Sequence, residues 1–155
     1  MTQDIEIPKI IQKHLLGIKY LSIDDINKIL ELAIFFKLKK KEKNKNYPIL
    51  TGRTIINLFF EPSTRTLISF EIAAKRLGAD VINMNIEGSS LRKGETLSDT
   101  AHTIGAMSPD LVVIRHSEDN SAEEISKLLE CPVVNAGEGI NAVSYTHLTL
   151  PTICS

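Results

Sequence analysis

From Thr54 onward the chain alternates short β-branched, apolar runs with segments of helical period, and this alternation constrains the fold more than any other feature. Strands are expected at Thr54–Phe60, Asp80–Asn85, Leu111–Arg115 and Pro132–Asn135, and helices at Thr64–Leu77, Thr96–Met107 and Ala122–Leu129. Parallel neighbours need a long crossover, so strands separated by such helices argue for an α/β fold: a parallel sheet with helices on both faces. Ligands of such sheets gather beyond the carboxyl ends of the strands, which directs attention to the loops that follow them.

The part before Thr54 is helical in pattern. Pro8 to Leu16 reads as a short helix ended near Gly17. Ser22 is placed to cap a longer one, with Asp24 and Asp25 in its first turn and Ile26, Ile29, Leu30, Ala33, Ile34 and Phe36 at helical spacing. The run Lys37–Lys43 falls at its carboxyl end, where cations are stabilised. With a net charge of -1 the run reads as a solvated helix end, and neither a nucleic-acid nor a membrane partner is expected.

At 155 residues the chain is about one domain long. No apolar run is long enough to cross a bilayer, and the start lacks the apolar core of a signal peptide. Cys131 and Cys154 make no disulfide framework, which fits a reducing, cytoplasmic setting.

Four clusters carry chemistry. In Phe60-Glu61-Pro62-Ser63-Thr64-Arg65-Thr66, Pro62 breaks the first strand, and Ser63 or Thr64 can cap the next helix. The first turn of a helix offers free N–H donors and partial positive charge, and Arg65 adds a planar fork that matches phosphate oxygens. An isolated Ser-Thr-Arg-Thr would read as an ordinary cap beside a surface arginine; the other clusters decide otherwise. Gly88–Thr100 contains Ser89, Ser90, Lys93 and Gly94, but its lysine precedes the glycine, so it is no P-loop. A solvated loop or an anion contact both suit it. Arg115-His116 ends an apolar strand, where an arginine either snorkels or serves a site. Asn135-Ala136-Gly137-Glu138-Gly139 is a glycine-rich strand exit without dinucleotide spacing.

Together these clusters resemble the carbamoyltransferases. Phe59–Thr66, Ser69-Phe70-Glu71 and Ala73–Ala79 look like the family signature. Lys93-Gly94-Glu95-Thr96-Leu97-Ser98-Asp99-Thr100 is similar to the aspartate version of the family, whereas ornithine enzymes do not usually carry that lysine-containing segment. Arg115-His116 and Asn135–Gly139 match in order and spacing. The resemblance implies transfer of a carbamoyl group from carbamoyl phosphate to L-aspartate, an early step of pyrimidine synthesis. It implies that Ser63, Thr64, Arg65 and Thr66 hold the phosphate, with Arg65 stabilising it as it leaves. Thr66 and Arg115 would polarise the carbamoyl carbonyl, and Ser90 (or its neighbour Ser89) with Lys93 would reach into the site of an adjacent subunit of a homotrimer. No cofactor, metal or covalent nucleophile is implied, and a regulatory partner chain remains open. His14 and His102 match no family site and read as packing or surface residues.

After Ala142 the family pattern should continue with His-Pro-Thr-Gln and a helix, but Val143–Ser155 looks like translated sequencing adapter. The expectation is therefore an incomplete carbamoyl-phosphate domain over residues 1–142, lacking its last helix and the aspartate domain, followed by a non-native tail over 143–155. His147 is not the missing histidine, because its context is wrong. Such a chain is expected to show no useful transferase activity. Two other readings stand beside it: a stand-alone phosphate-ligand module without catalysis, and a nucleotide-binding signalling domain, against which the absent P-loop and dinucleotide spacings count.

Overall fold

The computed structural model of the protein describes residues 7–39, 46–85 and 96–139. The helix expected after Ser22 is α1 (Ile23–Lys39). Alternation then begins with β1 (Thr54–Phe59), α2 (Thr64–Arg76), β2 (Asp80–Asn85) and α3 (Leu97–Ala106), and continues through β3 (Leu111–His116), α4 (Ser121–Leu128) and β4 (Val133–Glu138). β1 pairs in parallel with β2 on one side and β3 on the other, and β3 pairs in parallel with β4, giving the order β2-β1-β3-β4.

The period of two in β1 divides the core into two layers. Ile56 and Leu58 pack with Ala101 and Ile104 of α3 and with Ala122 and Ile125 of α4. Ile55 and Phe59 pack on the opposite face with Leu67, Phe70 and Ala74 of α2. Helices thus cover both faces, and β1 is buried from Ile55 to Phe59 as a central parallel strand should be.

Local chemistry explains where the helices start and stop. At α1 the Ser22 Oγ accepts the Asp25 N–H at 3.1 Å, while Asp25 Oδ2 accepts the Ser22 N–H at 3.2 Å, a reciprocal cap. Thr96 and Asp99 repeat that arrangement at α3, at 3.1 and 3.0 Å. α2 ends at Gly78, with φ at 85°: its N–H donates to the Lys75 carbonyl and that of Ala79 to the Ala74 carbonyl, which closes the helix end.

Two expectations need correction. Residues Pro8–Leu16 form no helix; Leu15 instead makes a parallel bridge to Val134 of β4. The Leu15 N–H donates to the Val133 carbonyl at 2.8 Å and the Asn135 N–H to the Leu15 carbonyl at 2.9 Å, while His14 Nδ1 accepts the Val133 N–H at 3.2 Å. So short a segment is a marginal helix, and the unpaired backbone of β4 offers it a better use. β4 itself continues beyond Asn135 to Glu138, which pairs with His116 across an irregularity in register. In α1, two residues of the apolar side, Leu30 and Ile34, are more than half exposed.

Candidate active site

The strand order creates a switch point. α2 carries the chain from β1 to β2 on one side, and α3 carries it back past β1 to β3 on the other. A crevice forms where connections diverge in this way, at the carboxyl ends of β1 and β3. The Phe60 N–H donates to the Arg115 carbonyl at 2.9 Å, holding the two strand exits side by side.

On the β1 side, Pro62 separates the strand from α2, and Ser63 occupies the N-cap position with its carbonyl accepting the Leu67 N–H at 2.9 Å. The Ser63 side chain caps none of the first-turn N–H groups; its Oγ donates to Thr66 Oγ1 at 2.8 Å. The expected hydroxyl cap is therefore absent, which leaves the turn's N–H donors without a side-chain partner from Ser63. Thr64 and Arg65 are exposed, and Thr66 and Ser63 are half-buried. The Arg65 guanidinium makes no ion pair or hydrogen bond with the described residues, while the Arg65 carbonyl is fixed by Ser69 Oγ at 2.8 Å. An open helix turn with an uncommitted guanidinium is suited to an anion.

On the β3 side, Arg115 is mostly buried, its side chain 19% exposed. Nη1 donates to the Ala136 carbonyl at 3.1 Å, and Nη2 lies 3.5 Å from Glu61 Oε2. Nε is buried without a hydrogen-bond partner. The guanidinium therefore bridges the β1–α2 turn and β4. His116 beside it packs its ring on Phe60, centroids 4.5 Å apart, and its Nδ1 accepts the Glu118 N–H at 3.0 Å. Burial pulls the His116 pKa down, outweighing the opposite pull of Glu118, Glu61, Glu124 and Glu138. With Nδ1 accepting the Glu118 N–H, the neutral form of the ring carries its proton on Nε2.

Asn135 shapes the third wall. Its Oδ1 accepts the Gly137 N–H at 2.8 Å and its Nδ2 donates to the Leu16 carbonyl at 3.1 Å. Gly137 has φ at 125°, and this turn aims the Ala136 carbonyl at Arg115. Glu138 Oε2 accepts the Ala122 N–H at the start of α4, 3.2 Å away, where the helix favours negative charge.

Ser63, Thr64, Arg65, Thr66 and Arg115 thus fall at neighbouring strand exits. Ser90 and Lys93, and their neighbour Ser89, lie outside the described residues, as does the stretch after 139. Within Lys93–Thr100, Thr96 and Asp99 are committed to capping α3. Sequence reasoning gave no role to Glu61, to the Ala136 carbonyl or to Asn135. Position beside Pro62 was the available hint for Glu61; the other two act through backbone that no side-chain motif announces. Of the histidines outside the motifs, His14 braces β4, and His102 Nδ1 lies 2.8 Å from the Ser98 carbonyl of its own helix.

Elsewhere, a cleft of about 600 Å³ opens at the amino-terminal ends of the strands, lined by Arg53, His102, Asp110 and Cys131 among others. Its Arg53 and Asp110 are paired at 2.6 Å, and Asp110 also accepts the Thr54 N–H, so those charges hold strand ends together. Among the described residues no cluster of His, Cys, Asp or Glu is placed to hold a metal, and no helix is long and apolar enough to cross a membrane.

The same region is matched in known proteins. Residues 13–143 match the family model of the aspartate/ornithine carbamoyltransferase, carbamoyl-P binding domain. The aspartate carbamoyltransferase catalytic subunit of Pelagibacter ubique is 56% identical over 131 residues, covering 84% of this chain and 42% of that protein. That of Parvibaculum lavamentivorans is 52% identical over 127 residues, covering 82% and 39%. The Trypanosoma cruzi aspartate transcarbamoylase solved with carbamoyl phosphate and aspartate superposes with a TM-score of 0.74 at 37% identity, over 82% of this chain and 39% of that one. Ornithine carbamoyltransferase from Pyrococcus furiosus gives 0.73 at 31% identity, over 84% and 42%. The chain spans about two fifths of the length of the curated relatives it matches. With a match across most of its residues, the chain belongs to the aspartate/ornithine carbamoyltransferase family, in the carbamoyl phosphate-binding domain.

Proposed function

We propose that this chain supplies the carbamoyl phosphate half of an aspartate carbamoyltransferase. The observation that carries the reading is the convergence of the open α2 turn and the Arg115 guanidinium at one switch point. The first-turn N–H groups, the Ser63 and Thr64 hydroxyls and the Arg65 fork hold the phosphate. Thr66 and Arg115 direct donors at the carbamoyl oxygen, where negative charge grows as the aspartate amine attacks the carbonyl carbon. When the tetrahedral intermediate collapses, phosphate departs with its charge on Arg65 and the helix turn. Positioning and electrostatics carry the reaction, without a covalent nucleophile.

Ser90 and Lys93 complete the site from a neighbouring subunit of a homotrimer, and L-aspartate binds on a domain beyond the matched region. Relatives named aspartate carbamoyltransferase, at 56 and 52% identity, support aspartate as the acceptor. On this reading the chain binds carbamoyl phosphate and does not turn over by itself. Calorimetry with carbamoyl phosphate, and with inorganic phosphate as competitor, tests it. Arg65→Ala and Arg115→Lys should each weaken binding about tenfold, since a hydrogen bond to a charged group contributes about 1.5–3 kcal/mol. Undiminished binding in both variants, or none by the parent at millimolar ligand, would sink the reading. Product formed at a normal enzyme rate would instead refute the absence of turnover.

The same proposal treats residues 143–155 as a non-native tail, supported by the end of the family match at residue 143. Adapter-free sequencing of the source locus should continue past the Ala142 codon into His-Pro-Thr-Gln. Finding the codons of Val143–Ser155 there would reject the tail.

A further inference from the structure

Asn57 lies within the apolar run of β1 and is fully buried. Burying an amide that is not fully hydrogen-bonded is costly, and an aliphatic residue would serve packing better. Its Oδ1 indeed has no partner. Its Nδ2 donates to the Oδ1 of Asn83, directly opposite on β2, at 2.8 Å. Asn83 Nδ2 in turn donates to Glu71 Oε2 on α2 at 2.7 Å, and Glu71 Oε1 receives Lys75 Nζ. A polar string thus runs from β1 through β2 to the middle of α2.

We infer that Glu71, Asn83 and Asn57 are positioning residues that set the register of α2 against the sheet, and thereby the placing of its amino-terminal turn opposite Arg115. The inference rests on the proposed function of that turn. Leu67, Phe70 and Ala74 hold α2 down by apolar contact, which is non-directional and tolerates sliding and rotation. Hydrogen bonds are directional and do not. At its far end α2 is tied by the Tyr47 N–H on the Arg76 carbonyl and by the Leu50 N–H on the Leu77 carbonyl. Among the described residues, Glu71 is the α2 side chain that hydrogen-bonds to a strand. It stands about two turns from Thr64, close enough for a shift there to move the seat by a similar amount. The Ser69-Phe70-Glu71 motif then acquires a role throughout: Ser69 fixes the Arg65 carbonyl, Phe70 packs in the core and Glu71 sets the register.

The test uses the 155-residue chain with four substitutions and two readouts. Glu71→Leu removes the acceptor, Glu71→Gln keeps an oxygen for Asn83 without the charge, and Lys75→Met removes only the ion pair. Asn83→Thr cuts the string at an exposed strand position and serves should Glu71→Leu fold poorly. Calorimetry reads the affinity for inorganic phosphate, and amide resonances of Thr64–Thr66 read the geometry of the turn. Expected are affinity weakened about tenfold and displaced resonances in Glu71→Leu and Asn83→Thr, with parent behaviour in Glu71→Gln and Lys75→Met. Parent affinity and resonances in the severed variants, with only the melting point lowered, would overturn the inference; so would failure of Glu71→Gln to rescue. Should the parent bind no phosphate, the functional reading fails, while the resonances alone still decide the positioning role.

Discussion

Arg115 is held from two sides, by the Ala136 carbonyl at 3.1 Å and by Glu61 at 3.5 Å, before any ligand arrives. Its side-chain freedom is already spent, so a ligand meets an oriented fork. The end of an apolar strand betrayed Arg115 in the sequence. Its partners stayed hidden, because a carbonyl has no sequence signature and the approach of Glu61 depends on which strands neighbour each other. His116 makes a prediction at the same scale. A half-buried imidazole takes up its proton less readily than one in the unfolded chain, whose usual pKa is 6.5. Stability is then complete above that value and falls as pH drops through the depressed folded value, because the unfolded chain binds more protons there. His14, also lowered by burial, adds in the same direction. Urea denaturation between pH 8 and about pH 5 should show stability declining below neutrality, and His116→Gln should flatten part of that decline. A variant with the parent's pH dependence would show that His116 contributes nothing to it.

At the scale of elements, α2 is delimited by residues that can be read without a structure. Pro62 cannot continue β1, and Gly78 supplies the left-handed turn that ends the helix. A Cβ at Gly78 would stand 3.0 Å from Pro48 Cα in addition to the strained φ of 85°. Gly78→Ala should therefore destabilise the fold by about 1–3 kcal/mol, read as a lower urea midpoint with unchanged slope. An unaltered midpoint would mean the helix end adjusts freely. The segment before Gly17 was less legible, since Pro8–Leu16 has a plausible helical pattern and only the backbone needs of β4 draw it out straight. β4 was read short for a related reason. Asn135-Ala136-Gly137-Glu138 has loop composition, yet the ladder to β3 carries it to Glu138.

For the molecule as a whole, alternation of strands and helices announced a parallel sheet, and the apolar, β-branched run Thr54–Phe60 announced one of its strands. Strand order was not announced, because apolar patterning says which residues are buried and not which strand lies beside which. Yet the order β2-β1-β3-β4 is what brings Ser63–Thr66 and Arg115 together. The bridge from Leu15 to Val134 has a consequence for how copies of the chain behave toward one another. A bare row of strand amides and carbonyls is a template on which a second chain can add, the first step of self-association. Residues 14–16 occupy that row on β4 and shield it. A chain lacking residues 1–17 should therefore add edge to edge into aggregates that keep growing with concentration, visible by light scattering, whereas the parent under the same conditions should form nothing larger than a trimer. On this prediction residues 14–16 act as an edge guard, keeping the outer side of β4 from pairing with another chain.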